Sequence, residues 1–291
     1  MPAKSATTTK TTAKKRPNRS KRAADAKPSL AARADRHECY QQSVQCVEAE
    51  IDFIDETFKE LRGRRAITLR EDFAGTANSS CEWVKRHNKA VAHAVDLDPD
   101  PVNWGKDNNV AKLTPSQQQR VSQIIADVRT ARTPKADALL AMNFSWMIFQ
   151  TRDTLRDYFK AARKNLSTDG LLFLDLYGGW ESFKEMRDKR KINKNLTYVW
   201  DQHRYNPITG EMHCFIHFHF SDGSKINRAF AYTWRLWTLP EVRELLAEAG
   251  FSRSTVYWEG TDDDGEGSGE YEPTDTGDAD PAWVSYIVAE P

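Results

Sequence analysis

Four acidic or amide residues, each closing a short apolar run, carry the chemical information in this chain: Glu71, Asp96, Asp127 and Asn143. The first lies in Thr68-Leu-Arg-Glu-Asp-Phe-Ala-Gly-Thr-Ala77, which reads as a strand, a tight turn of small residues and the start of a helix. A turn that opens onto a helix N-terminus points backbone N–H groups at a ligand. About 20 residues later a second apolar run, 90–95, ends on Asp96. A carboxylate at the tip of that next strand can hold both hydroxyls of a ribose, as it does in nucleotide-binding α/β folds. No G-x-G-x-x-G is present, which argues against a dinucleotide oxidoreductase.

Alternating elements position these residues. Runs 67–70, 90–96, 121–126, 136–142 and 171–177 read as strands, and 77–87, 98–113 and 151–166 as helices. The run at 171–177 is apolar along its length and so is expected to be buried on both faces. Such alternation implies a parallel, doubly wound sheet, whose ligands sit at the carboxyl ends of the strands. Glu71, Asp96, Asp127, Asn143 and Tyr177 all fall at those ends.

Residues 180–238 break the alternation. A short charged helix is expected first, then three strand-like runs at 196–205, 211–221 and 224–234, divided by turn signals at 206–210 and Asp222-Gly223. This is an antiparallel three-stranded insertion. In its middle strand His213, Phe215, His217 and His219 share one face. No carboxylate or thiol joins these histidines at a metal-ligand spacing, so the face is read as wet or as turned toward a cleft, with no metal. Thr238-Leu-Pro-Glu241 is a capping box that opens a helix. A sixth strand at 251–258 and a last one at 283–289 enclose an acidic, Gly-rich loop, 259–281, with ten acidic residues and no basic one.

The chain of 291 residues carries 42 basic and 42 acidic side chains, so its charge is balanced but segregated. Residues 1–36 hold 11 basic residues against Asp25 and Asp35 and almost no large apolar side chain, and are expected to be a disordered tail. Such a tail can solubilise, can touch nucleic acid weakly through counterion release, or can serve as an organelle transit peptide. The folded domain is expected over 37–289, with amphipathic helices at 37–64 capping the sheet and Tyr40 within reach of a ligand. No run is apolar enough for a membrane span and the start lacks a signal core, so a cytoplasmic protein is expected. Cys39, Cys46, Cys81 and Cys214 show no metal-type spacing and fit reduced thiols.

Taken in order, these motifs resemble the class I S-adenosylmethionine-dependent methyltransferases over residues 66–289. Glu71 matches the acid that ends the family's first strand, and Gly75-Thr76 match its Gly-rich turn. Phe73 and Ala77 stand where glycines are usual. Asp96 in Val95-Asp-Leu-Asp-Pro99 matches the ribose-binding acid. Asp127-Val128 match the adenine-contacting pair, Asn143-Phe-Ser-Trp146 the fourth-strand motif, and 237–251 the last helix and turn. The resemblance implies a Rossmann-like seven-stranded sheet, its seventh strand antiparallel between the fifth and sixth. It implies S-adenosyl-L-methionine as cofactor and S-adenosyl-L-homocysteine as product. The cofactor would be held by Arg70 (at its carboxylate), Glu71, Phe73, Gly75, Asp96, Leu97, Asp127, Val128 and Asn143.

The insertion is similar to those of glycine N-methyltransferase and the sugar-amine N,N-dimethyltransferases, which implies a small-molecule acceptor, most naturally an amine nitrogen. Tyr177, Tyr205, His217 and Arg235 are then the candidates to orient the nucleophile or take its proton. A nucleic-acid or protein methyltransferase docked by the basic tail and a non-catalytic nucleotide-binding module remain alternatives. Asn143-Phe-Ser-Trp146 lacks the Pro-Pro-aromatic pattern of amino-methylating nucleic-acid enzymes, and the folded part shows no obvious basic stripe. An exposed insertion sheet can also pair between subunits to give a homodimer.

Overall fold

The computed structural model describes residues 27–261 and 267–291. Three helices lead the chain: α1 (Leu30–Arg33), α2 (Arg36–Ser43) and α3 (Val47–Arg62). Then come β1 (Thr68–Asp72), α4 (Asn78–Arg86), β2 (Val91–Asp96), α5 (Pro99–Asn108), α6 (Pro115–Gln118), β3 (Val121–Ile125), β4 (Ala136–Ala141), α7 (Arg152–Asn165) and β5 (Leu166–Gly178). Four strands follow: β6 (Met186–Lys191), β7 (Leu196–Tyr205), β8 (Glu211–Phe220) and β9 (Lys225–Arg235). The chain closes with α8 (Leu239–Glu248), β10 (Arg253–Thr261), β11 (Gly267–Thr274) and β12 (Trp283–Glu290).

The main sheet runs β11-β10-β12-β5-β4-β1-β2-β3, with β1 to β5 parallel and β12 antiparallel between β5 and β10. This is the expected doubly wound order with one strand added. Leu171 to Leu174 and Leu176 are all fully buried, because helices cover both faces of the central strand. One apolar cluster joins β4 and β5 to α7 and α8, and another joins the opposite face to α3 and α4.

Four expectations are corrected. The eighth strand, β11, lies within the span read as an acidic loop. Strand pairing uses backbone groups and asks for an apolar side chain only on the packed face, and Tyr271 supplies it. Its ring meets Phe53 at 6.0 Å and Tyr286 at 4.4 Å, while the acidic neighbours face water. The charged helix expected after Gly179 is one helical turn at Trp180–Phe183 followed by β6, so the insertion has four strands. Its charges alternate across an edge strand, where Lys and Arg are well tolerated.

Thirdly, the tail ends earlier than residue 36. Ser29 caps α1, Leu30 N–H donates to Asp222 (2.7 Å) and Ala31 N–H to Ser224 (3.0 Å). These partners lie about 190 residues away, beyond the reach of composition. The expectation for residues 1–26 lies outside the described residues. Lastly, the fifth strand, expected over 171–177, already begins at Leu166, directly where α7 ends, so Ser167-Thr-Asp-Gly170 opens it. Among the described residues no helix is long and apolar enough to cross a membrane, and no cluster of metal-ligating side chains forms.

Arg70 belongs to this framework. It is fully buried, donates to Asp72 at 2.7 Å, and bonds the carbonyls of Val128 (2.7 Å) and Ala131 (3.2 Å). Tyr158 donates to the same Asp72 at 3.2 Å. The guanidinium is spent on stitching β1 to the loop after β3, so the expectation that it meets a cofactor carboxylate is corrected. The side-chain alternation of β1 turns Arg70 into the core.

Glu50 of α3 has a different fate. It is buried and its Oε2 has no hydrogen-bond partner. Burial, with Asp175 nearby, pushes its carboxyl up to about 7 from an ordinary value near 4.5. A carboxyl that holds its proton more tightly when folded favours folding at low pH, and that contribution is lost as pH rises from about 4.5 through 7. The charged form then costs about 3 kcal/mol, against about 1–2 kcal/mol for a buried amide. Glu50→Gln is therefore expected to stabilise the fold by about 1–2 kcal/mol at pH 8 and by almost nothing at pH 5. Urea midpoints at the two pH values check this.

Candidate active site

The turn after β1 keeps the backbone path that glycines would take, without the glycines. Phe73 (φ 58°), Gly75 (φ 50°) and Ala77 (φ 56°) all stand in the left-handed region. That conformation costs a non-glycine residue about 1–2 kcal/mol. Packing holds it: the Phe73 ring meets Tyr158 at 5.6 Å and Phe149 at 5.9 Å, and Ala77 is fully buried. Hydrogen bonds pin the turn from several sides. Gly75 N–H donates to Asp96 Oδ2 (2.7 Å), Asn109 donates to Thr76 O (2.9 Å), and Gln41 donates to Thr76 Oγ1 (2.8 Å). A Cβ on Gly105 would sit 2.2 Å from Thr76 O, so α5 packs directly on the turn.

Two carboxylates flank it. Glu71 is buried beneath α4 and accepts from Ser80 N–H (2.9 Å) and Ser80 Oγ–H (2.6 Å). Burial pushes it up to about 7 even so. Asp96 Oδ1 accepts from Asp98 N–H at 2.9 Å, and burial raises its pKa against these bonds. The next residue, Leu97, is 67% exposed, an apolar side chain held in the open at the tip of β2.

A second strained turn follows β4. Asn143 (φ 58°) and Phe144 (φ 56°) are both left-handed. Their N–H groups donate to the two oxygens of Asp175, at 2.6 and 2.9 Å, and Trp146 Nε1 donates to Asp175 O at 3.0 Å. Asp175 is buried in β5, and burial pushes it up to about 7. Its role was not visible in the sequence, where it is one polar residue in an apolar strand. The only sequence signal is that a carboxyl in such a strand needs partners.

These turns border two cavities. The first, of about 480 Å³, takes in Glu71, Phe73, Gly75, Asp96 and Asn143, with His37 and Tyr40 of α2 over it. The helix α2 is held there by His37 and Arg36 on Asp100 and by Trp104 donating to Asp35 (2.8 Å). The second cavity, of about 490 Å³, lies between the main sheet and the inner face of the four-stranded sheet. Its walls carry many aromatic rings, including Phe144, Tyr177, Tyr198, Trp200 and Trp234, with the carboxylates of Glu181, Asp188 and Glu259 and the guanidinium of Arg190. Tyr40, Asn143 and Tyr232 line both cavities, so the two meet there. Burial raises the phenols of Tyr40 and Tyr232, each also felt by the other.

The remaining expected residues divide. Tyr177 lines the second cavity, its hydroxyl on Met212 Sδ at 2.9 Å. Asp127 is paired with Arg129 (2.6 Å) and Val128 is buried, and neither lines the first cavity. Three catalytic expectations are corrected. Tyr205 packs on Phe183 at 5.3 Å, and Arg235 is held by Glu241 (2.8 Å) over the ring of Trp237. His217 sits on the outer face of the sheet, against Asp201 at 3.1 Å. The alternation along β8 holds, with Cys214, Ile216 and Phe218 buried on one face and His217 and His219 on the other, but alternation alone does not say which face meets the main sheet.

Comparison with solved structures defines the class of fold: that of the class I S-adenosylmethionine-dependent methyltransferases. The chain is similar to DesVI of Streptomyces venezuelae, at 16% identity and a TM-score of 0.64, covering 89% of this chain and 99% of that one. It is similar to an S-adenosylmethionine-dependent methyltransferase from Clostridium acetobutylicum, at 14% identity and a TM-score of 0.63, covering 87% and 96%. It is also similar to CalS10 of Micromonospora echinaspora, an amino pentose methyltransferase, at 15% identity and a TM-score of 0.62, covering 88% and 96%. No family model matches the sequence, and no curated protein does.

Proposed function

We propose that this protein transfers a methyl group from S-adenosyl-L-methionine to an amine nitrogen of a small-molecule acceptor. The observation that carries the reading is the pair of cavities meeting at Tyr40, Asn143 and Tyr232, one shaped by carboxylate and backbone groups, the other by aromatic rings. The structural neighbours include an amino pentose methyltransferase, a sugar N-methyltransferase and a glycopeptide N-methyltransferase, which supports the same reaction class.

The residues of the first cavity fit the cofactor. The left-handed turn brings backbone close to a ligand despite Phe73 and Ala77. Asp96 keeps acceptor capacity beyond its two backbone bonds for a pair of ribose hydroxyls. Leu97, exposed next to Asp96 and outside the cavity lining, offers an apolar surface of the kind a purine covers. When bound, the cofactor supplies an electrophilic methyl group with its leaving group already attached. The protein then has to align the nucleophile and exclude water. The aromatic walls of the second cavity attract an aminium through their π faces, and Glu181, Asp188 and Glu259 outnumber its one cation, Arg190, which is held on Ser43 O and over the Tyr198 ring. Tyr40 and Tyr232, held as phenols by burial, can accept from an amine N–H and so turn its lone pair toward the first cavity.

Isothermal titration with S-adenosylmethionine and S-adenosylhomocysteine, followed by a methyl-acceptance screen, tests this. Binding of both and turnover of a primary or secondary amine is the expected result. Turnover of acids or phenols with no amine among the products would overturn the amine assignment. Absence of binding to a folded protein would overturn the whole reading.

A further inference from the structure

The outer face of the four-stranded sheet holds a third concavity, of about 540 Å³, that the proposed methyl transfer does not use. Its walls carry four cationic side chains, Arg187, Lys189, Lys225 and Arg228, and the imidazoles of His217 and His219. None of its lining residues is acidic. Strand register assembles them: Lys189 pairs with Val199, Val199 with His217, and His219 with Lys225. Neighbouring strands lie about 4.8 Å apart, so charges distant in sequence converge on one patch. A basic stripe that the sequence did not show is therefore present in the fold.

Two features mark the patch as built. First, the carboxylate beside it is already engaged: Asp201 accepts from Arg187 at 2.8 Å and from His217 Nε2 at 3.1 Å. His217 Nδ1 in turn accepts from Arg228 N–H at 3.2 Å, which locks the imidazole. Second, Arg228 is left-handed (φ 50°) beside the β8–β9 bulge, with its guanidinium 4.3 Å from the centre of the Phe215 ring. A strained arginine at a bulge is a conformation that surrounding structure has to maintain. The field is positive there: His219 is held below its usual range by burial and then by Lys225, His217, Lys189 and Arg187.

We propose that this concavity binds a small phosphate-bearing ligand, with Arg187, Lys189, Lys225 and Arg228 meeting its oxygens. Four cationic groups converging beside a single carboxylate, Asp201, which Arg187 and His217 already occupy, leave positive charge in excess and suit a phosphate, and the volume suits a small ligand over an extended polymer. Arg228 also lines the first cavity, so one residue touches both sites.

The test is titration of the full-length protein with inorganic pyrophosphate at constant ionic strength, beside the variant K189E/K225E. Both lysines are exposed, and neither is ion-paired among the described residues, so the variant should fold, which its melting curve confirms. Saturable binding of one equivalent, weakened at least tenfold in the variant, is expected. No saturable binding overturns the proposal. Equal binding by the variant also overturns it, because the phosphate then sits on other cations. Binding of single-stranded RNA that the variant loses and pyrophosphate does not compete away would make the face a polyanion surface and likewise overturn it.

Discussion

Asp96→Ala is expected to weaken S-adenosylmethionine binding by about 30- to 100-fold while the protein stays folded. Asp96 ends β2 at the border of the first cavity, and its carboxylate does two jobs. It receives Gly75 N–H and Asp98 N–H, which tethers the left-handed turn to the strand tip. On the proposed function, its remaining lone pairs receive ribose hydroxyls of the cofactor. A hydrogen bond to a charged group is worth about 1.5–3 kcal/mol, which sets the size of the loss. The fold should survive because Asp96 lies outside the apolar clusters and the turn keeps its anchors on Gln41 and Asn109. Calorimetry beside a melting curve separates the two effects. Unchanged affinity in a folded variant would remove Asp96 from the cofactor site.

Asp175→Ala is expected to lower stability by about 4 kcal/mol and to abolish most methyl transfer. One carboxylate accepts both N–H groups of two consecutive left-handed residues, Asn143 and Phe144, and nothing else among the described residues bonds those donors. Each buried donor left without a partner costs about 1–3 kcal/mol. The turn would then relax out of its strained region, moving Asn143, which borders both cavities, and Phe144, whose ring meets Tyr177 at 4.7 Å. Asp175→Asn should recover only part of the loss, because an amide has one acceptor oxygen and presents N–H donors to the second N–H. Denaturant midpoints at constant slope measure the stability term. Full stability in Asp175→Ala would show that packing alone holds the turn.

The strand-end acids were legible because they sit in local patterns. Apolar runs broken by Glu71, Asp96 and Asn143 need only period and punctuation to be read. Phe73 and Ala77 looked like departures in one dimension. In three, their backbones occupy the conformation that glycine would supply, and the packing of Phe73 on Tyr158 and Phe149 explains how. The insertion was harder. Its existence followed from two turns, but the number of strands and the facing of Tyr205, His217 and Arg235 did not. Alternation groups residues onto a face without saying which face meets the main sheet, and the irregularity between Gln202 and Arg204 puts Tyr205 in phase with Trp200, which a single sequence does not mark.

By itself, the sequence determined the doubly wound sheet, the order of its motifs and the edge on which the polar strand ends gather, because these depend on residues close along the chain. Tertiary structure alone decided that Arg70 is a buried tie, that Asp175 holds the turn beside the proposed transfer point, and that α2 closes over the first cavity. It alone drew Arg187, Lys189, Lys225 and Arg228 into one basic concavity. Those outcomes depend on pairings between residues tens to nearly 200 positions apart, whose energies register only once the chain has brought both partners out of water.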